Sequence, residues 1–156
     1  QTSGKYGFSV AQHSVLVEQI LSLNAPQLAQ KWHLACLLHD APEYVIGDMI
    51  TPFKAAIGTP YKKIESLLQE AVHIRFGLPP ELPIGIAQSI KRADRMAAYL
   101  EATELAGFSN TEASKLFPKP RGTPKGIELT PLSPEKAKRS FLRRFDVLFG
   151  RNGLAR

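Results

Sequence analysis

The chain has 156 residues, 44% of them hydrophobic and 22% charged, with a formal net charge of +6. That length and apolar share fit one globular domain with a proper core, and no run approaches the ~18 apolar residues that span a bilayer. The single cysteine, Cys36, excludes an intrachain disulfide and a structural zinc site built on cysteines, so a cytoplasmic location is the default expectation.

Gln1 is not a natural start, so further chain is expected upstream of it, and the first residues do not read as a signal segment. Ser9-Val10-Ala11-Gln12 reads as a capping box, with an apolar stripe after it through Leu16, Val17, Ile20 and Leu23. A second helix is expected from about Asn24-Ala25-Pro26 to Asp40 or Ala41, where Pro42 stops it. Two short helical pieces follow, one at 43–46 and one opened by Thr51-Pro52. Thr59-Pro60 begins a helix through Ile64, Leu67, Leu68, Ala71 and Val72, and Gly77 ends it. A long helix is expected over about 84–106, with Gly107 as its stop. The last helix, about 134–149, starts at Ser133-Pro134 and carries Phe141, Leu142, Phe145, Leu148 and Phe149.

No stretch alternates apolar and polar residues in the way a sheet requires. The expected fold is therefore all-α: one domain over 1–156, a bundle of about six helices without significant sheet. Between them, about 107–132 reads as a proline-rich loop, too long for a simple connection. The positive excess gathers at 115–125 (Lys115, Lys119, Arg121, Lys125) and at 136–144. Such a balance suits phosphorylated partners, although the second cluster fits a solvated helix face about equally well. No basic stretch is interleaved with aromatics and no nucleic-acid motif appears, so nucleic acid is not the expected partner and no membrane is expected either.

The densest chemistry lies at 39–48, where His39-Asp40 is followed by Glu43 and Asp48. His13 shares the apolar stripe of the first helix, His39 follows Cys36 by one turn, and Asp94 lies between Ile90 and Ala97 in the long helix. Singly, His13 reads as a hydrogen-bonded core residue, Asp94 as a surface partner of Arg92 or Arg95, Glu43 as a helix N-terminal carboxylate and Asp48 as a turn residue. Jointly, three helices that each turn a His or Asp inward point to a divalent cation as the shared partner. Lys54 is a candidate for a substrate phosphate, with a plain surface lysine equally in view.

The order His13, His39-Asp40, Asp94 resembles the HD-domain phosphohydrolase superfamily over about residues 7–105. Glu43, Gly47-Asp48, Thr51-Pro52-Phe53-Lys54 and the segment from Lys91 to Glu101 are most similar to its bacterial 5′-deoxynucleotidase branch. The resemblance implies one divalent metal ion (Mn, Co, Zn, Ni or Mg) held by His13, His39, Asp40 and Asp94, with Glu43 and Asp48 left for proton handling and water positioning. The implied reaction removes phosphate from (deoxy)nucleoside 5′-monophosphates, with a small phosphorylated nucleotide as partner and a homodimer as a possible assembly. Asp48 is expected near the leaving oxygen and Glu43 near the attacking water, although the roles could be exchanged.

Members of that branch carry an Arg-aromatic pair upstream of the first His; before His13 this chain offers Lys5, Tyr6 and Phe8. Guanosine tetraphosphate hydrolases of the superfamily carry an adjacent Glu-Asp pair, whereas Glu43 is followed by Tyr44. Binuclear phosphodiesterases need further His ligands, and only His33 and His73 remain. Hydrolysis of (deoxy)nucleoside triphosphates is the alternative reaction, with the basic loop residues Lys119, Arg121 and Lys125 as candidate cations. A metal-stabilised nucleotide-binding module without turnover is the alternative outside enzymes.

Overall fold

The computed structural model describes residues 6–47, 49, 51–117, 127 and 129–150, with the side chains of 51, 53 and 55 left aside. Among them are eight helices and no strand: α1 (Val10–Asn24), α2 (Gln30–Leu37), α3 (Glu43–Ile46), α4 (Thr51–Ile57), α5 (Thr59–Arg75), α6 (Ile84–Glu104), α7 (Asn110–Leu116) and α8 (Pro134–Phe149). The fold is all-α, as the periodicity requires.

Helix α1 is the hub, packed against α2, α6 and α8. Its stripe Leu16, Val17, Ile20 and Leu21 is buried against Ala35 and Cys36 of α2 and Ile90, Ala93, Ala97 and Leu100 of α6. Small residues on α2 and α6 let the backbones approach α1, which brings His13 of α1 beside Asp94 of α6 and Asp40 just beyond α2. A second apolar cluster joins α2 to α8 through Leu34, Leu37, Leu38, Phe145 and Leu148. Phe76, Phe145 and Phe149 close it, with ring centroids 5.2–5.4 Å apart.

One buried polar knot ties the hub together. Glu18 of α1 is fully buried and accepts two hydrogen bonds from Arg144 of α8, at 2.5 and 2.7 Å. It also accepts from Ser22 at 2.6 Å and lies 3.1 Å from Nδ1 of His33. A buried carboxylate costs several kcal/mol unless paired, and here each oxygen has a donor.

Three details differ from the sequence expectation. Ser9 caps α1 by accepting from the Gln12 amide, but the Gln12 side chain does not reach back. Its Oε1 accepts from the Leu132 amide and its Nε2 donates to the Thr130 carbonyl, each at 3.0 Å, which pins the segment before α8 onto α1. Second, the span expected as one helix from 24 onward holds a turn, and α2 occupies only Gln30–Leu37, so His39 and Asp40 leave it in a turn. Third, the stretch expected as a loop contains α7, opened by a true capping box between Ser109 and Glu112. Ala113 of α7 is buried against Tyr99 and Ala102 of α6. The basic loop residues Lys119, Arg121 and Lys125 lie outside the described residues.

Candidate metal centre

His39 and Asp40 are neighbours in sequence, and neighbours on an α-helix point about 100° apart. Their place in the turn after α2 removes that constraint. Leu38 closes the helix by donating its amide to the Leu34 carbonyl, and Pro42 prevents continuation. Both side chains then meet His13 from the second turn of α1. His13, His39 and Asp40 each offer a ligand atom, and these atoms lie within 4.8 Å of one another.

Asp40 Oδ2 stands 3.5 Å from His13 Nε2 and 3.3 Å from His39 Nε2. Asp94 of α6 enters through its Oδ1, 3.4 Å from the same His13 nitrogen. The two rings lie with centroids 5.4 Å apart. The far edge of each ring is held. His39 Nδ1 donates to the Cys36 carbonyl at 2.9 Å, and His13 Nδ1 donates to Glu101 Oε1 at 2.6 Å. A proton fixed on Nδ1 leaves the Nε2 lone pair for the cluster, the arrangement found at imidazole metal ligands. His39 Nε2 is buried and has no hydrogen-bond partner. A buried, unsatisfied nitrogen among carboxylates is what a cation would satisfy, so this donor set fits a divalent ion.

The electrostatics agree. Burial alone would lower the His13 pKa, but hydrogen bonds to Asp94 and Glu101 and the charge of Asp40 outweigh it and raise it to about 10. The carboxylates thus demand a positive charge at this point. Burial pushes the Asp94 carboxyl up, yet His13 and Lys91 together hold it well below the usual carboxylate range. Burial lowers His39, with the charge of His13 adding to it, which keeps that ring neutral and able to ligate.

The cluster sits between two cavities. The larger, about 510 Å³, is lined by His39, Asp40, Glu43 and Asp94 at one end and by Ser66, Gln69, His73, Leu82 and Ile90 elsewhere. The smaller, about 220 Å³, is lined by Phe8, Ser9, Val10, His13, Asp40, Glu43 and Glu101. Asp40 and Glu43 line both. Glu43 stands at the start of α3, and Oε1 accepts from Lys54 Nζ at 3.3 Å. The same ammonium donates to Glu65 at 3.2 Å, so Lys54 bridges two acids on the cavity wall. Asp48, paired with Glu43 in the sequence reading, lies outside the described residues.

Two residues escaped the sequence reading. Glu101 follows Asp94 by seven residues, two turns along the same face of α6, and that spacing was the available signal. Lys91 stands one turn before Asp94, whereas the sequence offered Arg92 or Arg95 as its partner. It is the one that pairs with it, at 2.5 Å, while Arg92 bonds Ser89 instead. Of the two histidines left over, His33 belongs to the Glu18 knot and His73 lines the large cavity, its Nδ1 donating to the Pro80 carbonyl at 2.8 Å.

No protein-family model matches the chain. It is 48% identical over 149 residues to the uncharacterized protein RCAP_rcc00048 of Rhodobacter capsulatus, covering 95% of this chain and 76% of that protein. The chain belongs to the family of that protein. It is 28% identical over 143 residues to the uncharacterized protein YfdR of Escherichia coli, covering 90% of this chain and 71% of that one. A third similarity is to the 5′-deoxynucleotidase ECA3034 of Pectobacterium atrosepticum, 34% identical over 107 residues, covering 58% of this chain and 51% of that enzyme.

Proposed function

We propose that this chain is an HD-type metal-dependent phosphohydrolase that removes phosphate from (deoxy)nucleoside 5′-monophosphates. The observation that carries the reading is His39 Nε2, buried without a hydrogen-bond partner beside Asp40 and His13 while Nδ1 is tied to Cys36. The partial similarity to a 5′-deoxynucleotidase supports the substrate class.

In this reading His13, His39, Asp40 and Asp94 hold one divalent ion of the Mn, Co, Zn, Ni or Mg type. The chemistry such an ion supplies is polarisation of a phosphoryl oxygen and acidification of a water. The protein's own residues do the rest. Glu101 and the Cys36 carbonyl orient the two imidazoles. Glu43, on the wall of both cavities, takes the proton of the attacking water, and Asp48 serves the leaving oxygen. The cavity of about 510 Å³ is within the range of small-molecule sites and takes the nucleoside, with Leu82, Ala87 and Ile90 as its apolar wall. The chain acts as one domain, on a small soluble substrate in the cytoplasm. Among the described residues no helix is long and apolar enough to cross a membrane.

Triphosphate hydrolysis is the second reading, favoured by three lysines, Lys54, Lys62 and Lys91, on the same cavity. The test is product analysis with nucleoside mono-, di- and triphosphates in the presence of Mn²⁺, Co²⁺, Zn²⁺ or Mg²⁺, beside Asp48→Ala. Orthophosphate from monophosphates, lost in the variant, supports the proposal. Tripolyphosphate from triphosphates supports the second reading. A metal-loaded protein that hydrolyses nothing in the panel would instead be a binding module.

A further inference from the structure

A phosphomonoester brings close to two negative charges to a site already holding Asp40, Asp94 and Glu43, so a cation must meet it on the cavity side. Of the lysines lining the large cavity, Lys54 and Lys91 are the two that pair with acids on its wall, and those acids separate them. Lys54 stands between Glu43 and Glu65 at 3.3 and 3.2 Å with its side chain largely covered. Drawing it onto a phosphate would leave two acids facing one another, one of them covered, and its charge is already spent. Lys91 is different. Among the described residues its acidic partner is Asp94, whose Oδ2 it contacts at 2.5 Å while Oδ1 faces His13 Nε2 at 3.4 Å. The lysine side chain is 63% exposed, so its remaining N–H groups are open to a ligand in the cavity.

Geometry thus ties Lys91 to the metal cluster through one carboxylate. Asp94 would help hold the ion through its His13-facing side while its Oδ2 carries the Lys91 ammonium, and both residues line the same cavity. Ammonium is a compact charge with three donors, suited to a tetrahedral phosphate rather than to a planar acid. We infer that Lys91, not Lys54, takes the phosphate of the substrate, and that Asp94 holds it in place. This rests on the phosphohydrolase reading of the same site. Lys54 is then a positioning residue for Glu43.

The test compares metal-loaded wild type with Lys91→Ala, Lys91→Arg and the exposed neighbour Arg92→Ala. Calorimetry gives the affinity for inorganic phosphate, steady-state kinetics give kcat and KM for a nucleoside 5′-monophosphate, and elemental analysis gives metal content. Loss of a charged hydrogen bond is expected to weaken phosphate and raise KM roughly tenfold or more in Lys91→Ala. Metal content should stay full, Lys91→Arg should keep most of the affinity, and Arg92→Ala should match wild type. Unchanged phosphate affinity in Lys91→Ala overturns the inference, as does loss of metal in that variant, which would make Lys91 only a support for Asp94. Wild type that binds phosphate through Lys91 yet hydrolyses no nucleotide leaves this inference standing and removes the hydrolase reading.

Discussion

Glu101 Oε1 lies 2.6 Å from His13 Nδ1, on the ring edge opposite the one that meets Asp40 and Asp94. One α6 face thus touches both edges of a single imidazole, Asp94 from within the cluster and Glu101 from behind it. The carboxylate sets the tautomer and makes Nε2 a stronger donor.

Removing that support should loosen the site without emptying the core. Glu101→Ala is expected to weaken divalent-metal affinity by about 10- to 100-fold, and Glu101→Gln by less, since an amide oxygen can still accept from Nδ1. Competition titration against a metal indicator, with circular dichroism to check folding, reads this directly. Equal affinity in all three proteins would show that Glu101 does not orient His13.

Metal and proton compete at His13. With its pKa raised to about 10 in the metal-free protein, the ring is an imidazolium near neutral pH and must lose a proton before it ligates. Metal affinity should therefore climb with pH up to about 10, with about one proton released per ion near neutral pH. Calorimetry in buffers of different ionisation enthalpy counts that proton. A release of zero would mean that His13 is already neutral.

The same shift makes a stability prediction for protein kept metal-free with chelator. The folded value, about 10, exceeds the ordinary 6.5, so the protonated ring stabilises the fold fully below 6.5. That contribution declines as pH rises from 6.5 and is gone above about 10. Wild type should exceed His13→Gln most at about pH 6 and converge with it in alkali. Denaturant midpoints across that range measure the difference, and a constant gap would contradict the shift.

Outside the cluster, the Glu18–Arg144 pair should behave as a structural tie. Arg144→Ala leaves the buried Glu18 without its cation, at a cost of about 2–3 kcal/mol, the lower end for a buried pair because Arg144 is partly in solvent. Replacing both by leucine should recover much of the loss. Thermal denaturation of the single and double variants decides; a double variant no better than the single would mean that the pair contributes more than mutual neutralisation.

Glu43→Gln should lower kcat by about 10²- to 10⁴-fold with metal content retained, if the carboxylate handles the proton of the attacking water. Stopped phosphate-release assays with elemental analysis separate this from loss of the ion. Full activity in the variant would remove Glu43 from the chemistry.

Much of this chain was legible from local signals. Apolar stripes at helical spacing, Ser-Pro and Thr-Pro starts, and glycine stops placed α1, α5, α6 and α8, because each such signal acts within a few residues of backbone. The candidate ligand types were legible too, since inward-facing His and Asp on separate helices need a partner. The exit turn after α2 was not. A helix continued to Asp40 satisfies every local preference, and only packing against α1 and α6 selects the earlier break that lets adjacent residues share one site. Likewise α7 depends on Ala113 fitting against α6, and the roles of Lys54 and Lys91 depend on which acids surround them. Sequence by itself determined most of the helices and the candidate donor types, because those follow from short-range backbone and side-chain chemistry. Which donors meet, which ring nitrogen faces the cluster and which acids Lys54 and Lys91 pair with were decided only in three dimensions, because hydrogen-bond partners such as Glu101 and His13 are 88 residues apart.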